Sequence, residues 1–193
     1  MARHKYEFRP DKPDHGLLHK LYLTKKQRLS LLKWALFGLL LLILSVLQDV
    51  ILCRLRGIGI TTDLVPCAIF LISIYLGTET GCVFALVGSA LYQFSGSAPG
   101  YYIIALITFF ALFAAMFRQS YLRKSMSSDI LCAGIAFTLY ELIIFAVALV
   151  QGLSSLSRIG GTVVTFLLTG LAMPALYPLI LTLDKIGGET WKE

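Results

Sequence analysis

The sequence predicts an all-α polytopic membrane protein, a six-transmembrane-helix bundle with short second and third helices. Six apolar stretches follow one another between Trp34 and Leu183, and a helix needs about 20 mainly apolar residues to cross the hydrocarbon core of a bilayer. Hydrophobic residues make up 57% of the chain, charged residues make up 15%, and the mean hydropathy is +0.78. This balance is far from that of a soluble domain.

The apolar pattern divides the chain into three segments. A basic N-terminal tail covers 1–33, the membrane domain covers 34–183, and a short C-terminal tail covers 184–193. Nine of the 17 lysines and arginines lie in the first tail, and basic residues beside a first span hold that side in the cytoplasm. We therefore expect both tails in the cytoplasm. The net charge of +6 is a topological signal on this interpretation, and no nucleic acid partner is expected.

A second interpretation of the first tail stays open. Leu17, Leu18 and Leu21 lie among lysines, a pattern that also suits an interfacial helix attracted to anionic lipid. Membrane lipids are therefore expected among the partners of the chain.

The first span runs from Trp34 to Leu52 and is expected to remain as an anchor. The polar leader before it is longer than the charged region of a signal peptide, and no small-residue cleavage site follows it. Gln48 and Asp49 lie toward its outer end, one turn before Arg54 and Arg56. These polar residues either pair with one another or form an exposed surface for a partner, and we take them as candidate partner-binding residues.

The second and third spans, Leu64 to Leu76 and Cys82 to Phe94, are each shorter than a full crossing. If they form a hairpin, 14 of the 17 lysines and arginines fall on the cytoplasmic side, whereas a single long helix would leave ten there. The distribution of basic residues favours the hairpin. Thr61-Thr62-Asp63 and Pro66 predict a helix start at about Asp63.

Small residues form a stripe on the third span. Gly81, Ala85 and Gly88 recur at spacings of three and four, and such stripes allow close contact between helices in lipid. We expect the third helix to be central in the bundle. The stripe either helps the bundle to pack or forms a second candidate partner-binding surface.

The last three spans are Tyr101 to Phe117, Ile130 to Val150 and Val163 to Leu183. A Ser-Gly-Pro turn over 95–100 precedes the fourth span, and the loop from Arg118 to Asp129 is expected on the cytoplasmic side. Pro174 and Pro178 predict a bend in the last helix.

Glu141 lies near the centre of the fifth span, where an ionised carboxylate costs at least a few kcal/mol. It must therefore face protein, carry a proton, or both. Two interpretations stay open: Glu141 makes a buried hydrogen bond between helices, or its charge or proton is used in function.

The sequence offers no basis for catalysis. All three histidines, His4, His15 and His19, precede the first span, and no two of the four cysteines have metal-binding spacing. It contains no phosphate-binding loop and no nucleophile elbow. We expect no catalytic residue, no metal and no cofactor, and hence a protein that binds or positions something and is not an enzyme.

Three groups of residues resemble the signatures of one family, MreD, the small rod shape-determining membrane proteins. In that family a glutamine in the first span precedes a Pro-Asp-Leu start of the second. The resemblance covers about residues 34 to 183, and the matching residues are Leu47-Gln48, Leu52, Gly59 and Asp63-Leu64; Gly77 through Gly81, Ala85, Gly88, Phe94-Ser95-Gly96 and Pro99-Gly100; and Pro174-Ala175-Leu176-Tyr177.

Two positions depart from the family. Thr62 stands where proline is common, and Tyr92 or Gln93 stands where an aspartate is common at the end of the third span. A role that depends on that aspartate is therefore not carried over to this chain.

The resemblance implies a scaffold of the cell-elongation (rod) complex in the bacterial cytoplasmic membrane. Such a protein binds the bitopic protein MreC and helps to control cell shape and sidewall peptidoglycan synthesis. Its further partners would be a penicillin-binding protein and other members of the elongation complex.

An alternative comes from a different class. A six-helix bundle with short second and third helices is also similar to the substrate-binding S component of energy-coupling factor transporters, a fold to which MreD is distantly similar. Those proteins carry an Ala-x-x-x-Ala contact in the first span, which is absent from the leucine-rich first span here. A membrane chaperone or scaffold of another system is a third interpretation.

Overall fold

The computed structural model describes residues 25–50, 63–96, 98, 100–123, 125–152 and 159–186, and the regular secondary structure in these ranges is helical. The helices are α1 (Lys25–Val50), α2 (Leu64–Leu76), α3 (Thr78–Phe94), α4 (Tyr102–Tyr121), α5 (Met126–Val150) and α6 (Ile159–Ile186). The second span was predicted with both of its observed ends. The third to sixth helices each extend beyond the predicted apolar core at one or both ends.

Four of these helices are long and apolar enough to cross a membrane. They contain the candidate spans Arg28–Val50, Tyr102–Tyr121, Met126–Val150 and Ile159–Leu183, whereas α2 is a shorter apolar helix. Large apolar side chains on their outer faces are exposed, including Leu42, Phe109 and Leu171. Monomeric soluble proteins rarely expose large apolar faces, so these helices indicate a membrane protein.

The most enclosed helix is α2. Every residue from Val65 to Ile74 is buried, and α2 packs against each of the other five helices. A helix that is apolar on all sides can be surrounded in this way. The expectation that the third helix is central was therefore wrong, because α3 is buried on one face and exposes Val83, Leu86 and Leu91 on another.

Helices α2 and α3 form an antiparallel hairpin rather than one long helix. Gly77 joins them with φ +91°, a conformation that favours glycine. Beyond the turn, a Cβ atom at Gly81 would overlap the backbone carbonyl oxygen of Ser73. Further along α3, a Cβ atom at Gly88 would lie 3.1 Å from Leu41 Cδ1 and 3.2 Å from Ile69 Cγ1. The small-residue stripe therefore lets α3 approach α2 and α1 closely.

A buried ion pair joins α4 to α5 near the short connection between them. Arg118 Nε donates to Asp129 Oδ1 at 2.7 Å, and a terminal guanidinium nitrogen donates to Asp129 Oδ2 at 3.2 Å. The hydroxyl of Tyr177 on α6 donates to the same Oδ2 at 3.1 Å. The sequence suggested a loop from Arg118 to Asp129. In the structure α4 continues to Tyr121 and α5 begins at Met126, so both residues belong to helices.

Candidate functional site

The start of α2 is held by a side chain from another helix. The first turn of a helix has backbone N–H groups without intrahelical acceptors. Here the N–H of Val65 donates to Gln48 Oε1 at 3.1 Å, and Pro66 has no N–H to satisfy. Asp63 occupies the N-cap position but makes no side-chain cap. Gln48 on α1 therefore performs the capping that the sequence assigned to the residues before α2.

Asp63 joins α2 to two further helices. Its Oδ1 accepts a hydrogen bond from Gln48 Nε2 at 3.5 Å, and its backbone N–H donates to Thr169 Oγ1 on α6 at 3.4 Å. The hydroxyl of Thr169 in turn donates to the backbone carbonyl of Thr165 at 2.8 Å. The carboxyl of Asp63 thus contacts α1 and does not cap its own helix.

The fifth helix adds a second carboxyl to the same place. Glu141 is 8% exposed, and its carboxyl lies within electrostatic range of Asp63. Its Oε1 atom is buried without a hydrogen-bond partner in the described part of the chain. The structure therefore places the buried carboxyl of Glu141 near the half-buried carboxyl of Asp63.

Two tyrosines complete this group. Tyr92 on α3 is 2% exposed and lies near the Gln48 side chain. Tyr140 on α5 is 0% exposed, packs edge-on against Phe70 with ring centroids 5.8 Å apart, and has a hydroxyl with no partner among the residues described. Both tyrosines lie within electrostatic range of Asp63 and Glu141. We call the six residues the polar cluster: Gln48, Asp63, Tyr92, Tyr140, Glu141 and Thr169.

The polar cluster lies well inside the bundle because α2 is short. With 13 residues, α2 is about 20 Å long, whereas α5 with 25 residues is about 38 Å long. Asp63 at the start of α2 meets Glu141, which lies near the middle of α5. The positive end of the α2 dipole therefore faces the two carboxyl groups and favours negative charge on one of them.

The residues predicted to bind a partner differ from one another in exposure in the structure. Gln48 is 8% exposed and hydrogen-bonded, so the interpretation of Gln48 as part of an exposed surface was wrong. Asp49 beside it is exposed, and Arg54 and Arg56 lie outside the described residues. The sequence suggested that Gln48 was exposed because its hydrogen-bond partners, Asp63 and Val65, lie at the start of another helix.

The small-residue stripe of Gly81, Ala85 and Gly88 is also buried within the chain. It packs against α2 and α1, so it is occupied by internal contacts and does not offer a partner-binding face. Of the two interpretations left open by the sequence, the geometry favours packing.

Sequence reasoning missed the meeting of Asp63 with Glu141. Asp63 was interpreted as the local cap of α2, and Glu141 as the one acid at membrane depth. A signal was present: a helix of 13 apolar residues is shorter than a full crossing of the bilayer, so one of its ends is expected at membrane depth inside the bundle. Asp63 is the acid at that end.

The polar cluster can hold helices together and can bind or release protons, since it contains carboxyl, hydroxyl and amide groups. Among the residues that the structure describes, no group of three or more histidine, cysteine, aspartate and glutamate side chains could hold a metal ion. Searches against known protein families, curated proteins and solved structures find no match for this chain.

Proposed function

We propose that this chain is an MreD-like scaffold of the cell-elongation machinery in the bacterial cytoplasmic membrane. In this proposal it is a six-span bundle with both termini in the cytoplasm and has no enzymatic activity. It binds a bitopic MreC-like protein through exposed intramembrane surface and short loops, and so helps to link cytoplasmic filaments to peptidoglycan synthesis outside.

One observation carries the proposal: two residues that carry the resemblance to MreD are in direct contact. The amide of Gln48 donates to Asp63 and also accepts from the first turn of the helix that Asp63 begins. A first-span glutamine and an aspartate before the second span therefore have a shared physical task, which is to dock α2 inside the bundle. This contact is a physical reason for Gln48 and Asp63 to occur together. It supports the resemblance with more than sequence similarity.

The partner surface in this proposal differs from the one suggested by sequence. Gln48 and the small-residue stripe are engaged inside the chain, whereas Asp49 and the outer faces of the long helices are exposed. In lipid, helices associate by close packing and interhelical hydrogen bonds. A bitopic partner with a single span would dock on one of these outer faces, with Asp49 as the polar contact at its edge.

The S component of an energy-coupling factor transporter is the second candidate. The observation that favours it is that two members of the polar cluster have buried polar atoms without partners in the described residues, namely Tyr140 Oη and Glu141 Oε1. Unpaired polar groups inside a bundle are what an interior ligand would use. The first span, however, lacks the small-residue contact of that class.

Purification of the tagged full-length chain from native membranes under mild solubilisation tests the two candidates. We expect an MreC-like protein or a penicillin-binding protein to be recovered with it. The Asp49→Leu variant, purified in the same amount, should recover less of that partner. Recovery of an energy-coupling ATPase module in place of these proteins would contradict the proposal and favour the transporter.

A further inference from the structure

We propose that the outer face of α4 binds an anionic phospholipid, whose acyl chain lies along a row of aromatic rings and whose phosphate meets Arg123. We call this row the aromatic ridge, and it consists of Phe109, Phe113, Phe117 and Tyr121. The proposal requires α4 to lie in a bilayer, as its length and hydropathy allow. It goes beyond the proposed function, because it does not depend on which protein partner the chain binds.

Exposed aromatic side chains are concentrated on α4. Among the residues that the structure describes, six aromatic side chains are exposed, and five of them belong to α4 or to its N-cap residue. The exposed large apolar side chains of α1 and α6 are leucine, isoleucine and valine. The outer surface of the bundle is therefore not uniform, and α4 differs from the other long helices. The six residues are Phe94, Tyr101, Phe109, Phe113, Phe117 and Tyr121.

The rings of the aromatic ridge form one continuous surface. They recur at a spacing of four residues, which places them side by side along the helix, and they are 42% to 76% exposed. The ring centroids of Phe117 and Tyr121 are 5.1 Å apart. A ring with only two side-chain torsions offers a large contact area at a low cost in entropy. An acyl chain can pack on such a surface through dispersion contacts.

The length of the aromatic ridge matches one leaflet of a bilayer. Twelve residues separate Phe109 from Tyr121, or about 18 Å of helix, and half of the hydrocarbon core is about 15 Å thick. Tyr121 ends both α4 and its candidate span, a position at the membrane surface that suits tyrosine. Beyond Phe109 the row continues with Ala105, which has no ring. A helix that crosses the whole bilayer would meet the row over its full length, so the ridge fits a lipid chain of one leaflet better.

A cation lies beyond the surface end of the aromatic ridge. Arg123 is exposed and has no ion pair with the described residues, whereas Arg118 is paired with Asp129. No acidic residue occurs between Tyr102 and Arg123. A guanidinium group can bind phosphate with two parallel hydrogen bonds, and the hydroxyl of Tyr121 can donate to the same headgroup. This charge favours an anionic lipid over a zwitterionic one, whose own cation would lie near Arg123.

Quenching of tryptophan fluorescence by brominated lipids tests the site locally. The probe is Phe117→Trp in the full-length chain, with both native tryptophans, Trp34 and Trp191, replaced by Phe. The protein is placed in vesicles that contain either brominated phosphatidylglycerol or brominated phosphatidylcholine with the same acyl chains. We expect a preference for phosphatidylglycerol of at least about fivefold, which corresponds to about 1 kcal/mol per cation near an anionic surface. Leu171→Trp on the exposed face of α6 is the control position, where the ratio should be close to one.

Two variants with the same change of charge separate Arg123 from the general positive charge of the protein. Arg123→Gln should remove the preference at the Phe117→Trp probe. Arg28→Gln removes one positive charge from an exposed position on α1 and should leave the preference unchanged.

Three results would overturn the proposal. Equal quenching by the two lipids at Phe117→Trp would show that the headgroup is not recognised. Equal loss of the preference in Arg28→Gln and Arg123→Gln would assign it to the charge of the whole protein. A photo-crosslinking residue at Phe113 that forms its adduct with a polypeptide in native membranes, and not with a phospholipid, would assign the ridge to a partner helix. If Phe117→Trp does not fold, Phe113→Trp gives the same reading one turn further into the membrane.

Discussion

Buried polar side chains in this chain are of two kinds, and the difference between them is visible atom by atom. Asp129 accepts from Arg118 and Tyr177, so its two oxygens are both used. Tyr140 is just as deeply buried, but its hydroxyl has no acceptor in the described residues. Groups of the first kind stabilise the bundle through their hydrogen bonds, whereas atoms of the second kind make no hydrogen bond in the described residues.

This contrast predicts opposite effects for two tyrosine variants. Tyr177→Phe removes a hydrogen bond to a buried carboxylate at 3.1 Å and should lower the free energy of unfolding by about 1.5–3 kcal/mol. Tyr140→Phe removes a buried hydroxyl that makes no bond here, so it should leave the free energy of unfolding unchanged or raise it by up to about 1–3 kcal/mol. Unfolding of both variants in the same detergent measures the difference. Equal losses would mean that Tyr140 has a partner that the described residues do not provide.

The Arg118–Asp129 pair predicts a larger effect. Arg118→Met leaves Asp129 buried without its ion-pair partner, and breaking a buried pair in this way costs about 3–5 kcal/mol. The double variant Arg118→Met with Asp129→Leu removes both charges and should recover most of that loss. Thermal unfolding of the two variants is the measurement. A double variant as unstable as the single one would show that the pair does not act as a unit.

At the scale of the helix, α2 shows what could be predicted from sequence and what could not. Its bounds follow from local chemistry, because Asp63 precedes the apolar run and Gly77 ends it. Its central position and its docking by Gln48 do not follow, since both depend on contacts between residues far apart in the chain. The small-residue stripe of α3 was visible in sequence, but the pattern alone does not say whether a partner or α2 fills it.

The hairpin predicts a position-specific effect of adding one methyl group. In Gly81→Ala the new Cβ would collide with the backbone of Ser73, which cannot move aside cheaply. We expect a loss of about 1–3 kcal/mol from overpacking. Gly38→Ala on α1 is the matched control, because a Cβ there has nothing within 4 Å, and alanine is the better helix former. A Gly81→Ala variant as stable as Gly38→Ala would contradict the close approach of α3 to α2.

For the whole molecule, four helices are long and apolar enough to cross a membrane, and our proposal is a six-span bundle in one orientation. That orientation places 14 of the 17 lysines and arginines in the cytoplasm. The exposed outer faces of α1, α4, α5 and α6 then meet lipid or a partner helix, while α2 and the polar cluster are enclosed.

The orientation predicts which side of the membrane each connection faces. In a variant without its native cysteines, Ser125→Cys before α5 should react only with reagents that reach the cytoplasm. Gln151→Cys after α5 should react with an impermeant thiol reagent added outside; both positions are exposed. Labelling of intact cells and of inverted vesicles gives the two readings. Labelling of Ser125→Cys from outside would refute the hairpin topology and the six-span count together.

The central claim is that the chain acts by binding a bitopic partner through the outer faces of its helices. A photo-crosslinking amino acid placed in turn at Val46, Leu91, Phe113, Leu142 and Leu171, all exposed, tests this claim in intact native membranes, with buried Phe70 as the control position. We predict an adduct with one MreC-like single-span protein from positions that share one face of the bundle, and none from Phe70. Adducts with an ATPase module would contradict the account. The absence of any protein adduct from all exposed positions would also contradict it.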